Sequence, residues 1–142
     1  MTITGLATRV ALSVSLAVSG VVHGYLYVDG YRDIPTVGPA FLVQGSAFCA
    51  LAVLILAGGP AWLWLAAAIG AAGSLLAFAL SRTAGLFGFI ETGWQPAPYA
   101  ALTVVAEVAT ILFVLAAAVR RRPRAALSAE SVSYTHLTAA DE

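Results

Sequence analysis

Residues 98–124 read PYAALTVVAEVATILFVLAAAVRRRPR, and this stretch decides the fold. About twenty mostly apolar residues are followed at once by four arginines within five positions. A helix of that length crosses the roughly 30 Å apolar layer of a bilayer. Arginines directly after a span indicate the cytoplasmic side of the membrane. The stretch therefore predicts a membrane-spanning helix over residues 98–119 whose carboxyl end lies in the cytoplasm.

The rest of the chain has the same apolar character. Of its 142 residues, 61% are hydrophobic and only 10% are charged, whereas a soluble domain carries about 25% charged residues. Its mean hydropathy is +0.91. Three further apolar runs, at 10–28, 36–57 and 61–81, are long enough to span a bilayer, and the short Gly58-Gly59-Pro60 turn makes the second and third antiparallel. We therefore predict an all-α, transmembrane four-helix bundle with up-down topology.

Topology follows from the number of spans. Four spans return the N-terminus, with Arg9, to the side of the C-terminal arginines, which predicts a multi-pass protein of the bacterial cytoplasmic (inner) membrane with both termini in the cytoplasm. A cleavable signal peptide is the alternative for the first run, because small residues surround Val18. Residues 125–142 are rich in Ser, Thr, Ala and acids without apolar periodicity, and they are predicted to be disordered.

Charge and motif content exclude several classes of function. Seven arginines balance seven acids, and this zero net charge argues against a nucleic-acid partner. Cys49 is the only cysteine, so the chain has neither an internal disulfide nor a cysteine metal cluster. It contains no phosphate-binding glycine loop, no HExxH and no nucleophile elbow. We predict no catalytic residue and no metal site, and the sequence leaves enzymatic activity open.

Polar side chains within the spans lie mostly in the predicted outer half. Glu107 is nine residues into the fourth helix, about 13 Å along its axis and close to mid-bilayer, where an unpaired charge is costly. Thr103 lies one turn before it on the same face. On the other helices His23, Gln44 and Arg82 lie within two turns of the outer interface. These five residues predict a ligand-binding site that opens outward.

A structural role competes with ligand binding at each position. Glu107 fits equally well as a hydrogen-bonded carboxyl that joins helices, and His23 as an interfacial histidine bonded to a backbone carbonyl. Arg82 fits as a helix-terminal arginine that reaches the lipid head groups. A quinone-like head group, a proton relay, haem and a metal ion are all compatible with these side chains, so the cofactor is unknown.

The leading interpretation is a membrane protein that binds a small ligand or redox cofactor, or assists a membrane complex. The first alternative is an oligomeric, proton-coupled transporter of small molecules, in which Glu107 binds proton and substrate in turn. The second is a structural membrane subunit whose polar groups hold the helices together. In each case the expected partners are the lipid bilayer and either a second copy of the chain or another membrane protein.

Small and aromatic residues add two structural predictions. Gly20 and Gly24 form a G-x-x-x-G step on the first helix, and small residues also recur every four positions on the third helix. Such faces let helix backbones approach closely, which predicts packing of the first helix on the third or an oligomer interface. Aromatic side chains also gather at the predicted membrane interfaces: Tyr25, Tyr27, Tyr31, Trp94 and Tyr99 outside, and Trp62 and Trp64 inside.

Three segments carry a family resemblance: residues 19–23 (SGVVH), 30–38 (GYRDIPTVG) and 81–86 (SRTAGL). They resemble uncharacterised small four-helix membrane proteins that are common in high-GC Gram-positive bacteria, over about the first 120 residues. The chain is also distantly similar to DoxX-type four-helix proteins, which often carry an acid in helix two where this chain has Gln44. The resemblance implies a bacterial inner-membrane protein, and it implies no catalytic residue.

Overall fold

The computed structural model describes residues 3–121, which fold into four α-helices without a β-strand. The helices are α1 (Ile3–Leu26), α2 (Val37–Leu56), α3 (Trp62–Ser81) and α4 (Tyr99–Arg121). Each of them is long and apolar enough to cross a membrane. The predicted all-α, four-helix transmembrane fold is therefore confirmed.

Three helices lie within two residues of their predicted bounds, whereas α1 begins at residue 3 rather than residue 10. Hydropathy marks only the part of a helix that lipid surrounds, and the helix continues beyond that part. After α1, a wide helical turn at Tyr27–Tyr31 is broken at Gly30, whose φ of +146° favours glycine. The tail predicted to be disordered, residues 125–142, lies outside the described residues.

The four helices form a ring in chain order, so that each packs against the helices before and after it and α4 packs against α1. The loops 27–36 and 82–98 lie at one end of the ring, which we call the loop end. The opposite end, the turn end, holds the Gly58–Pro60 turn, the start of α1 and the end of α4. There Arg120 donates a hydrogen bond of 2.9 Å from Nη1 to Thr8 Oγ1.

Glycines set the contact between α1 and α2. A methyl group at Gly45 would lie 3.0 Å from both Gly20 O and Gly24 N, so the two backbones touch. The predicted packing of α1 on α3 was wrong, because these two helices lie diagonally in the ring. A small-residue face indicates close approach but not the identity of the neighbour. On α3, Gly70 instead makes room for the ring of Phe48 from α2.

The apolar core fills the bundle from its middle to the turn end. It is built by buried residues of α1, α2 and α3 and completed by α4: Leu12, Leu16, Phe48, Ala52, Ile55, Leu63, Trp64, Ala67 and Ala71, with Ile111, Phe113, Val114 and Ala117 packed against them. Trp64 is buried here, in contrast to its predicted place at the membrane interface, while Trp62 is exposed.

Candidate functional site

A cavity of about 90 Å³ lies inside the bundle at the loop end. All four helices line it, and the loop 82–98 contributes residues at its mouth. Its deep end is polar and is formed mainly by α1 and α4, while its walls are largely apolar and aromatic. The cavity therefore has a polar floor, aromatic walls and a loop across its mouth.

Four of the five site residues named from the sequence line this cavity: His23, Arg82, Thr103 and Glu107. Gln44 does not. Phe41 takes the cavity-facing position on α2, and Gln44 lies nearly one turn deeper, half-buried, with no hydrogen-bond partner for its buried Nε2. The position of Gln44 along the helix does not tell which way its side chain faces around the helix.

Glu107 forms the floor of the cavity and is 1% exposed. The hydroxyl of Ser19 donates a hydrogen bond of 2.9 Å to Glu107 Oε1, which joins α1 to α4. His23 Nε2 lies 4.0 Å from the same oxygen. Ser74 of α3 also interacts with this carboxyl group. Three helices therefore surround one buried acid.

The orientation of His23 follows from its own hydrogen bond. Its Nδ1 lies 2.9 Å from the backbone carbonyl of Ser19. A carbonyl oxygen only accepts, so Nδ1 carries a proton and donates it. This leaves Nε2 as the atom that faces Glu107. His23 thus combines the backbone-bonded role anticipated for an interfacial histidine with a second nitrogen directed at the acid.

The polar contact between α1 and α4 continues one turn deeper than the cavity. Ser15 Oγ and Thr110 Oγ1 are 2.8 Å apart, and each also lies within hydrogen-bonding distance of a carbonyl of its own helix. Because each hydroxyl has one proton, one of them donates to the other hydroxyl while the second donates to its carbonyl. Beyond this pair the fully buried Leu12 begins the apolar core. The hydrogen bonds between α1 and α4 that begin at the cavity therefore end with this pair, near the middle of the bundle.

Arg82 holds the loop 82–98 rather than reaching the floor. Its Nε donates a hydrogen bond of 2.9 Å to Gly93 O, Nη1 donates to Ser81 Oγ at 3.1 Å, and Nη2 donates to Gln95 O. The guanidinium also lies 3.5 Å from Glu91 Oε2. With its side chain 14% exposed, Arg82 is folded inward over the loop.

Sequence reasoning missed two residues at the mouth. Tyr31, predicted in the outer aromatic belt, turns inward and donates a hydrogen bond of 2.7 Å to Glu91 Oε2. Glu91 lies in the largely apolar loop 82–98, and no role was predicted for it from the sequence. Its signal was nevertheless present, because Arg82 and Glu91 are the only charged residues between positions 34 and 106. Two opposite charges that stand alone in a long apolar stretch favour an ion pair with each other.

Stacked rings line one wall of the cavity from floor to mouth. His23 lies 5.0 Å from Phe41 between ring centroids, and Phe41 lies 4.7 Å from Tyr31 with nearly parallel planes. Tyr31 in turn meets the edge of Phe89 at 5.9 Å. Phe78 belongs to the α3 wall, where its ring lies 4.5 Å from the Arg82 guanidinium.

Within residues 3–121, no three His, Cys, Asp or Glu side chains come close enough together to hold a metal ion. No family model, curated protein or solved structure matches the chain. The resemblance to small four-helix proteins of high-GC Gram-positive bacteria and to DoxX-type proteins therefore gains no support and stays a prediction.

Proposed function

We propose that this multi-pass membrane protein binds a small molecule in the cavity at its loop end, with Glu107 and His23 as the polar anchor. One observation carries the proposal: a fully buried carboxyl group lies 4.0 Å from an imidazole at the floor of a cavity. Ionisable residues within a membrane span usually face the bundle interior and mark a site of binding or transfer. Here two such residues, Glu107 and His23, line the same cavity.

The cavity itself favours binding over a purely structural role. A polar pair that only joins helices needs no free volume beside it, since hydrogen bonds and close contact suffice. The cavity of about 90 Å³ would hold roughly three water molecules at about 30 Å³ each. Ser15 and Thr110 show the alternative, because they join α1 to α4 outside the cavity.

The end of the polar contact at Ser15 and Thr110 favours binding over transport. A transported substrate or proton must also leave at the turn end, and Leu12 and the apolar core occupy that path. Proton-coupled transport would therefore require a second arrangement of the helices.

We also propose that the loop end faces outward across a bacterial cytoplasmic membrane and the turn end faces the cytoplasm. Arg9 and Arg120 lie at the turn end, in agreement with the excess of arginine on cytoplasmic sides. Large apolar side chains cover the outer faces of the helices, which fits the lipid bilayer as the surrounding partner. A homo-oligomer or a partner in a membrane complex would contact these same faces.

Cysteine labelling in intact cells tests this orientation. In a Cys49→Ala background, a membrane-impermeant maleimide should label Thr83→Cys, which is exposed at the loop end. It should not label Thr4→Cys, which is exposed at the turn end, until the cells are lysed. The opposite labelling pattern would reverse the proposed orientation.

Ligand binding is tested on detergent-purified full-length protein with matched variants. Native mass spectrometry looks for a co-purified molecule, and thermal unfolding is screened against small molecules of mixed charge and polarity. A ligand of this site should stabilise the wild type and Thr110→Val but not Glu107→Leu. Thr110 is a suitable control because it is as buried as Glu107, one turn away, and outside the cavity. If no compound distinguishes the two variants, the pair only joins helices.

A further inference from the structure

The charges around the cavity balance one another. At the mouth, Arg82 is paired with Glu91 at 3.5 Å. At the floor, His23 donates its Nδ1 proton to Ser19 O, and its Nε2 lies 4.0 Å from the Glu107 carboxyl group. Because a net charge buried at this depth in a membrane span is costly, we assign the pair one further proton, on either Nε2 or the carboxyl group. Whichever group carries that proton, the pair has no net charge. Because a charged ligand would lack a counter-ion in this buried site, the cavity favours an uncharged one.

The floor offers a ligand both kinds of hydrogen bond. With one shared proton, His23 and Glu107 present one donor and at least one acceptor toward the cavity. The hydroxyl of Thr103 donates to Ala100 O at 3.0 Å, so its oxygen remains an acceptor. A hydroxyl group, which donates and accepts at once, complements this floor, and a carbonyl group complements its donor.

The walls favour a flat apolar body above that polar group. Phe41 and Tyr31 are stacked along the side of α2, and Phe78 lies on α3. Aromatic rings pack on one another with centroids about 4.5–7 Å apart, which is the range already seen within this wall. A ring standing on the floor would continue the same packing.

The size of the cavity places a condition on such a ring. An apolar cavity of about 150 Å³ holds benzene, and the cavity here measures about 90 Å³. Phe89 is the side chain best placed to yield. It lies on the tight Leu86–Phe89 turn of the loop, and its ring packs on Tyr31. Movement of this one ring enlarges the cavity without separating the helices.

We propose that the cavity binds an uncharged aromatic ring with a hydroxyl or carbonyl group at its edge. That group lies on Glu107 and His23, and the ring packs against Phe41 and Phe78. This inference rests on the proposed function and names the ligand class of the same site. Water-soluble phenols and the head groups of membrane-dissolved quinols share this chemistry. Tighter binding of decylhydroquinone than of hydroquinone in lipid vesicles, after each is corrected for its partitioning into protein-free vesicles, would assign the membrane source, and the reverse order the aqueous one.

The test measures binding of 4-fluorophenol and 4-fluorotoluene to the full-length protein by fluorine NMR. The preference for 4-fluorophenol over 4-fluorotoluene, taken as the ratio of their two affinities, should be about tenfold larger in the wild type than in Glu107→Leu. This is the size expected for one buried hydrogen bond. Comparing two protein variants in the same micelles cancels the partitioning of each probe into detergent. Glu107→Gln, which keeps a donor and an acceptor, should retain most of the preference.

A second pair of variants tests the position of the ring. Phe89→Ala should enlarge the cavity and tighten the binding of both probes several-fold, about as expected for relief of crowding. Phe87→Ala on the same turn is the control, because Phe87 is 74% exposed and outside the cavity, and it should change nothing. Equal effects of the two variants would overturn the placement of the ring.

Failure of the ligand class is distinguishable from failure of the proposed function. Binding of 4-fluorobenzoate as tight as that of 4-fluorophenol, or an equal phenol preference in Glu107→Leu, would overturn the class. If the broader screen then finds charged or aliphatic ligands that depend on Glu107, the site binds small molecules of another kind. If no ligand depends on Glu107, both proposals are wrong.

Discussion

The two ends of this bundle use the same four helices in opposite ways. Toward the turn end, apolar side chains such as Leu16, Ile55 and Ala67 are buried together in one cluster. At the loop end, a buried acid, an imidazole and an ion pair surround a cavity of about 90 Å³. Lipid is as apolar as the turn-end core, so helices associate in a membrane through close packing and hydrogen bonds. The apolar core can therefore stabilise a fold whose loop end keeps a cavity with a polar floor.

The largest expected effect on the free energy of unfolding comes from the apolar core. Phe48 is fully buried and its ring packs on Gly70 of α3. Phe48→Ala should lower the free energy of unfolding by roughly 2–3 kcal/mol through the cavity it leaves, at about 24 cal/mol per Å³. Val53→Ala, on the lipid-facing side of the same helix, should change it by less than about 0.5 kcal/mol. Equal losses in chemical denaturation would show that the buried core contributes no more to stability than the lipid-facing surface does.

The second-largest loss of stability should come from disturbing the glycine contact between α1 and α2. Gly45→Ala places a methyl group 3.0 Å from backbone atoms of Gly20 and Gly24, which cannot move aside as a side chain would. We expect a loss of about 1–3 kcal/mol from overpacking, measured by thermal unfolding in detergent. Gly73→Ala is the control, since no atom lies within 4 Å of its added methyl group, and its stability should be unchanged or higher. A tolerated Gly45→Ala would mean that the backbones separate easily.

A hydrogen bond between the helices should matter less than packing. Thr110→Val keeps the shape of the side chain but removes its hydrogen bond with Ser15. Interhelical hydrogen bonds in membranes average about 0.6 kcal/mol, so the melting temperature should fall only slightly. Thr83→Val, at an exposed position after α3, gives the baseline. A loss as large as that of Phe48→Ala would show that polar contacts, rather than packing, hold the bundle.

The smallest global effect should come from the mouth. Arg82→Gln removes hydrogen bonds to Gly93 O and Gln95 O and the pairing with Glu91. Because the loop lies outside the packed helices, overall stability should change by less than about 1 kcal/mol. Hydrogen exchange at the Glu91 amide, which donates to Ser81 O at 3.0 Å, should accelerate by roughly tenfold.

The control for this loop is Arg120→Gln at the turn end, where the arginine bonds to Thr8. It should leave exchange at Glu91 unchanged. Unaltered exchange in Arg82→Gln as well would show that the turns of the loop, rather than the arginine, keep it closed.

Sequence periodicity predicted which residues share a helix face, and this was enough to group some of the residues that line the cavity. Thr103 and Glu107 are spaced by four residues and both line the cavity, as expected. Ser19 and His23 have the same spacing, and Ser19 Oγ lies 3.4 Å from His23 Nδ1. The spacing along a helix did not predict the contacts made by the loop 82–98. Tyr31 and Glu91 are sixty residues apart, and only the folded chain brings the hydroxyl of one to the carboxylate of the other. Gln44 shows a second limit, since its position along α2 placed it in the predicted site but its side chain does not line the cavity.

The sequence by itself determined that residues 3–121 form four helices long and apolar enough to span a membrane, because long apolar runs can satisfy their backbone hydrogen bonds in lipid only as helices. It also determined that Glu107 would be buried, since a carboxylate facing lipid is too costly. The tertiary structure alone decided which helices are neighbours, so that Gly20 meets Gly45 and Ser19 meets Glu107. Those contacts depend on how side chains of different helices fit in three dimensions, which the pattern along a single helix does not contain.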